Sequence, residues 1–167
     1  LGMPDIGIIS MDELVNRTKQ IVSVTNLPVI VDGDTGYGEI VNVIRLVREL
    51  ESVGAAAIQI EDQVLPKKCG HLNGKQIISK QDMMAKIQAA SEASNNIKII
   101  ARTDSVQTDG IDSAIERAKS YVKSGADIIF PEALTSKQDF KKFSDNIDVP
   151  IVANMTEFGI TPDINVK

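Results

Sequence analysis

The hexapeptide "PKKCGH", Pro66 to His71, holds the only cysteine and the only histidine of the chain. Two lysines, Lys67 and Lys68, stand directly before the cysteine. A structural zinc site is the poorest reading of this segment. Zinc is normally held by four ligands, and the chain has no further Cys or His to supply them. A thiol acid fits better, because cationic neighbours lower a thiol pKa and a nearby histidine makes proton transfer feasible. Gly70 would let a ligand approach the backbone closely. The competing reading is a basic exposed loop that happens to contain Cys69.

Other reactive side chains close a series of short apolar runs. Asp32 and Asp34 flank Gly33. At strand period their side chains face the same way, and adjacent carboxylates repel unless a cation lies between them. Hard oxygen donors suit Mg2+ or Mn2+, with water and substrate completing the shell. A strand end entering a loop would use the same residues, since Asp and Gly favour turns. Glu61 and Asp62 end a second run, and one of them could reach the metal through water or both could simply be solvated. Arg102 and Asp104 end a third run, Glu132 a fourth, and Asn154 with Thr156 a fifth. Arginine holds a carboxylate through two parallel hydrogen bonds, although Arg102 and Glu132 could equally form a structural ion pair. Together these groups offer a divalent metal, cationic and amide donors and a titratable thiol. That set suits a polycarboxylate whose carbon skeleton breaks through an enolate, the metal stabilising the developing charge. The "GYGE" stretch at 36–39 lacks the full dinucleotide fingerprint and carries no weight for NAD.

Five runs rich in Ile and Val, at 28–34, 56–62, 97–104, 126–132 and 149–154, are too short for helices. They read as strands buried on both faces of a parallel sheet. Amphipathic stretches at helical period separate them. The first opens with a capping box, Ser10 and Glu13. The others run from 40 to a stop at Gly54, from a Ser79 cap, from 112 to Gly125, and from 136 to 147. This alternation is βα architecture. Polar groups at the C-terminal ends of five successive strands predict a (β/α)8 TIM-type barrel, whereas a doubly wound sheet gathers its site at one switch point. Five strands cannot close eight, so residues 1–167 are expected to form one partial barrel domain, with further units before residue 1 and after residue 167.

The bulk composition excludes several function classes. Net charge is −5 and the pI about 4.9, which argues against a general nucleic-acid binder. No apolar run approaches the roughly 18 residues of a membrane span, and no basic stretch followed by an apolar one opens the sequence. A single cysteine rules out an internal disulfide, so nothing asks for an oxidising compartment. A cytoplasmic protein with a small-molecule partner, and neither a nucleic acid nor a membrane, is the expectation.

The segment "KKCGH" at 67–71 resembles the signature of the isocitrate lyase family. "IEDQ" (60–63), "ARTD" (101–104) and the Asp32/Asp34 pair fall where that family and the wider phosphoenolpyruvate mutase superfamily have them, and the resemblance runs the length of the chain. "FPEA" (130–133), "ANMTEFG" (153–159) and the short link after Asp104 resemble the methylisocitrate branch; isocitrate lyases usually carry a sizeable insertion after Asp104. The resemblance implies Mg2+ (or Mn2+) at Asp32 and Asp34, more directly at Asp34, with Glu61 in the outer shell. It implies Cys69 as general acid, with Lys67, Gly70 and His71 completing a loop that closes over substrate. Arg102, Glu132, Asn154 and Thr156 match substrate contacts, and Asp5 in "GMPD" matches a residue near the alkoxide end. The implied reaction is retro-aldol cleavage of 2-methylisocitrate to pyruvate and succinate, within propionate catabolism. The alternatives are cleavage of isocitrate to glyoxylate and succinate, or the chemistry of a phosphonomutase or 2-oxoacid-processing relative, which usually lacks the cysteine. A homotetramer with a terminal helix swapped between subunits is also implied. The family's usual Asp-Ala-Asp reads Asp32-Gly33-Asp34 here, an exchange that is sterically mild and expected to be neutral.

Overall fold

Four of the five Ile- and Val-rich runs form strands: β1 (Ile30–Asp32), β2 (Ala57–Glu61), β3 (Lys98–Thr103) and β4 (Ile128–Pro131). The computed structural model describes residues 2–69, 74–155, 159 and 161–162. All strand neighbours pair in parallel, in the spatial order β1-β2-β3-β4. Spatial order equals chain order, so the four described strands contain no switch point; this is how a barrel wall is laid down. The fifth run corrects the expectation of a full strand. It makes one parallel bridge, Ile129 to Ile151, with Ile129 N–H donating to Pro150 C=O at 3.0 Å and Val152 N–H to Ile129 C=O at 2.9 Å.

Six helices are seen among the described residues: α1 (Met11–Val22), α2 (Ile40–Ser52), α3 (Lys80–Ala93), α4 (Ser105–Asp109), α5 (Ile111–Lys123) and α6 (Lys137–Ser144). Their ends follow local chemistry. Ser10 and Glu13 form the expected capping box, and the Ser79 and Ser136 hydroxyls accept from the N–H groups of Asp82 and Asp139. Gly54 and Gly125 lie just past α2 and α5 with φ of 89° and 104°, a conformation that glycine adopts without a Cβ penalty. The short helix α4 is unexpected; its residues, SVQTD, show no apolar period. At the end of α2 the Glu51 carboxylate accepts from the backbone N–H groups of Asn95, Asn96 and Ile97 at 3.1, 2.5 and 3.1 Å. This ties α2 to the turn between α3 and β3.

Strand residues alternate between the two faces of the sheet. Val31, Ile58, Ile60, Ile99, Ala101 and Ile129 join the main core, which includes helix residues such as Leu46, Leu50, Ile87 and Tyr121. Ala57, Ile100 and Phe130 form a second, small cluster. Register places Asp32 beside Gln59, Glu61 beside Arg102, and Arg102 beside Phe130. Asp32, Gln59, Glu61 and Arg102 therefore share the face opposite the helices, towards its C-terminal edge, while Thr103 alternates to the helix side. No helix among the described residues is long and apolar enough to cross a membrane.

Candidate active site

The strand pattern stops at Asp32, and this changes how the Asp pair is built. Asp34 has φ 48°, and its N–H donates to Asp32 Oδ1 at 3.0 Å. The pair is thus an Asx-type turn and not two strand residues facing one way. Gln59 Nε2 also donates to Asp32 Oδ1, at 3.2 Å. Behind the turn, the buried Lys86 ammonium donates to Thr35 C=O at 3.0 Å. In front of it a cavity of about 250 Å3 is lined by residues including Asp5, Ile9, Asp32, Asp34 and Tyr37. Burial, then the charges of Asp34 and Asp32, push the Tyr37 phenol up to about 12.

Lys67 closes this turn from the side of the cysteine segment. Its Nζ forms ion pairs with Asp34 and, at 2.7 Å, with Asp5. The residue is only 4 % exposed, which removes the reading of the whole segment as an exposed basic loop. Burial alone would lower the Lys67 ammonium, but its hydrogen bonds to Asp34 and Asp5 outweigh that and hold it raised. Asp34 is raised by burial, against the pull of Lys67. Lys68 turns away, its Nζ donating to Gly74 C=O at 2.9 Å, and Cys69 follows, half-buried. Gly70, His71 and Thr156 lie outside the described residues.

Arg102 is the hub of a second, buried cluster. Its Nε and NH2 fork onto Asp104 Oδ2 and Oδ1 at 3.0 and 3.1 Å. It stands 3.4 Å from Glu61 and 3.7 Å from Glu132, and over the Phe130 ring at 5.2 Å. Glu132 is therefore a flank of the hub, and the fork partner is Asp104. Asp104 Oδ1 also takes the Lys75 ammonium at 2.6 Å, with both side chains almost fully buried. Asn154 Nδ2 reaches Glu132 Oε2 at 3.4 Å. Asp62 points the other way. Its carboxylate accepts from the Thr103 and Tyr121 hydroxyls, each at 2.8 Å, and from Asp104 N–H at 2.9 Å. That network locks the end of β2 to the end of β3 and fixes the separation of Glu61 and Arg102.

Glu61 is the exception among these carboxylates. Both its oxygens are buried without a hydrogen-bond partner among the described residues. Burial pushes it up to about 8 despite Arg102 nearby. Leaving a buried carboxylate unsatisfied is costly. Six carboxylates (Asp5, Asp32, Asp34, Glu61, Asp104 and Glu132) share the mouth with three cations, Lys67, Lys75 and Arg102, among the described residues. This deficit of positive charge fits a divalent cation. The described residues contain no group of three His, Cys, Asp or Glu side chains that could hold a metal by themselves. Mg2+ does not need one, since it is usually held by one or two carboxylates plus water and substrate. The Asp32/Asp34 turn supplies such a pair, with Glu61 further in. Sequence reasoning missed Gln59 and Lys75, which reach the site through contacts 27 and 29 positions away in the chain; Gln63 belongs to the "IEDQ" stretch, which by itself assigns it no role.

Sequential parallel strands with charged side chains gathered at their C-terminal ends define a TIM-type barrel domain, of which the described residues supply four strands. The chain belongs to the phosphoenolpyruvate phosphomutase family, whose model matches residues 1–166. It is 58 % identical over 166 residues to the 2-methylisocitrate lyase of Aeropyrum pernix, covering 99 % of this chain and 54 % of that protein. Among solved structures it is similar to 2,3-dimethylmalate lyase, with a TM-score of 0.94 and 36 % identity, covering 98 % of this chain and 56 % of the other. A phosphonopyruvate hydrolase complex with oxalate and Mg2+ matches at a TM-score of 0.78 and 30 % identity, over 89 % of this chain and 53 % of that one. The chain spans about half the length of the curated relatives it matches.

Proposed function

We propose that the protein is a Mg2+-dependent carbon–carbon lyase that cleaves 2-methylisocitrate to pyruvate and succinate. The observation that carries this reading is the placement of Lys67 on the Asp34 and Asp5 carboxylates, with Cys69 two residues further on. In this reading Cys69 is the proton donor at the carboxylate end of that mouth. A divalent cation held by Asp32 and Asp34 would supply charge stabilisation for the developing alkoxide and enolate oxygens. Asp5 takes the proton of the substrate hydroxyl. The bond between the hydroxyl-bearing carbon and its neighbour breaks, the carbonyl of pyruvate forms, and the electron pair stays on the succinate carbon. The Cys69 thiol gives its proton to that carbon, leaving a thiolate that the cationic surroundings stabilise. Arg102, Asn154 and Thr156 orient the remaining carboxylates, Glu132 contacts substrate beside them while holding Arg102 and Asn154, and Gly70 and His71 complete the segment around Cys69. Arg102 would exchange part of its internal pairing for substrate.

The close succession of β3, α4 and α5 supports 2-methylisocitrate over isocitrate, because no sizeable insertion follows Asp104. The likeness to 2,3-dimethylmalate lyase makes 2,3-dimethylmalate the second substrate to test. The test supplies the full-length protein and Mg2+ with 2-methylisocitrate, isocitrate and 2,3-dimethylmalate in turn. The reading expects kcat/KM to be highest for the first; a higher value for either other acid reassigns the substrate. Turnover of none of them, with activity on a phosphonate, removes the lyase. A homotetramer, a cytoplasmic location and a place in propionate catabolism belong to the same proposal.

A further inference from the structure

One side chain holds the backbone between Lys67 and Cys69. Gln63 is 2 % exposed. Its Nε2 donates to Lys68 C=O at 2.9 Å, and its Oε1 accepts Lys68 N–H at 2.9 Å. A primary amide thus satisfies both backbone groups of a single residue, as a paired strand does across an antiparallel ladder. The N–H of Lys68 belongs to the peptide that joins it to Lys67, and the C=O of Lys68 to the peptide that joins it to Cys69. Fixing these two planes fixes where both neighbours start.

Gln63 is itself firmly placed. It bridges Ile77 in antiparallel fashion, while Val64 N–H donates to Gln76 C=O and Ile78 N–H to Asp62 C=O, each at 2.8 Å. This short ribbon continues from the end of β2, so the clamp is referred to the sheet that carries Glu61 and Arg102. The Lys68 ammonium on Gly74 and the Lys75 ammonium on Asp104 hold the returning side.

We propose that Gln63 is a positioning residue for the Lys67–Cys69 pair, setting the thiol against the carboxylate turn by clamping the Lys68 peptide groups. For its kinetic part this inference rests on the lyase reading above. Two variants of the full-length protein separate the possibilities. Gln63→Met keeps the length and loses both hydrogen bonds; Gln63→Glu keeps the acceptor and sets a carboxylate against Lys68 C=O. Glu51→Ala, at the far end of α2, is the control for a general loss of stability. The readouts are the iodoacetamide alkylation rate at Cys69, resolved by peptide mass spectrometry, together with kcat and KM.

The expectation is a rise in Cys69 alkylation of about 5- to 100-fold in both variants, the range for losing one or two hydrogen bonds, with Glu51→Ala at the wild-type rate. kcat falls by a similar factor and KM changes much less, because Lys67 and Cys69 act in the chemical step. Wild-type alkylation and kcat in Gln63 variants that melt early, as the control does, overturn the proposal and leave Gln63 a structural residue. Raised alkylation in the variants of a protein that cleaves none of the three acids supports the clamp and removes the lyase reading. If Gln63→Met does not fold, Gln63→Glu carries the same test.

Discussion

Alanine at position 33 tests how closely β1 and β2 approach beside the Asp pair. A Cβ built on Gly33 would stand 2.9 Å from Gln59 C=O, 3.0 Å from Ile58 Cδ1 and 3.1 Å from Ile58 Cγ1. The isoleucine tip can rotate away. The Gln59 oxygen cannot, because it is backbone in the middle of β2 and accepts the Gly33 N–H at 2.8 Å. The expected neutrality of the Ala-to-Gly exchange therefore does not hold on this backbone. An alanine must push β1 outward by a few tenths of an ångström or displace Ile58, which is fully buried. Overpacking of this kind costs about 1–3 kcal/mol, roughly 5- to 140-fold in the folding equilibrium. Since Gly33 lies between Asp32 and Asp34, the same shift is expected to disturb the turn and to weaken the Mg2+ binding proposed there. Urea denaturation of the full-length protein reads the first effect, and calorimetric Mg2+ titration of the native protein reads the second. Gly33→Ala with unchanged urea midpoint and unchanged Mg2+ affinity would refute the close-approach reasoning.

Two further substitutions probe the buried charges. Asp104→Asn leaves the Lys75 ammonium and the Arg102 fork without their common anion; breaking a buried ion pair on one side costs about 3–5 kcal/mol, and urea denaturation should show a loss of that order. Glu61 provides the pH dependence. Its folded pKa, about 8, lies above the ordinary 4.5, so the folded state binds the proton more tightly than the unfolded one. Its contribution is fully present below about 4.5 and is lost as pH rises towards about 8. Glu61→Gln should flatten the fall in stability across that window in chelator-treated protein, and an unaltered slope would contradict the assignment.

Much of the frame was legible because it is written locally. The Ile and Val runs, the Ser10–Glu13 box, the Ser79 cap and the Gly54 and Gly125 stops each act within a few residues, and each appears where its chemistry requires. The strand-end positions of Asp32, Glu61, Arg102 and Glu132 followed from the same periodicity. What escaped was set by local turns and by contacts that residue periodicity does not encode. Strand period carries on to Asp34, two residues past the end of β1, where the Asx turn takes over. The run at 149–154 carries the composition of a strand but pairs through one bridge only. The Arg102–Glu132 ion pair, one of the two readings of these residues, is present at 3.7 Å, but strand period does not single out the shorter fork of Arg102 onto Asp104. Lys75 looks like an ordinary loop residue, and its burial depends on Asp104, 29 positions away; Gln63 lies in the "IEDQ" stretch, but its hold on Lys68 depends on the return of the chain there.

The most direct measurement follows 2-methylisocitrate by NMR in the presence of Mg2+, with the full-length protein and its Cys69→Ser variant. The account predicts pyruvate and succinate in equal amounts from the wild type, no cleavage once the metal is chelated, and a loss of turnover of at least about a hundredfold in the variant, the scale of a general acid's contribution. Cleavage by Cys69→Ser at the wild-type rate, or none by the wild type, would contradict it.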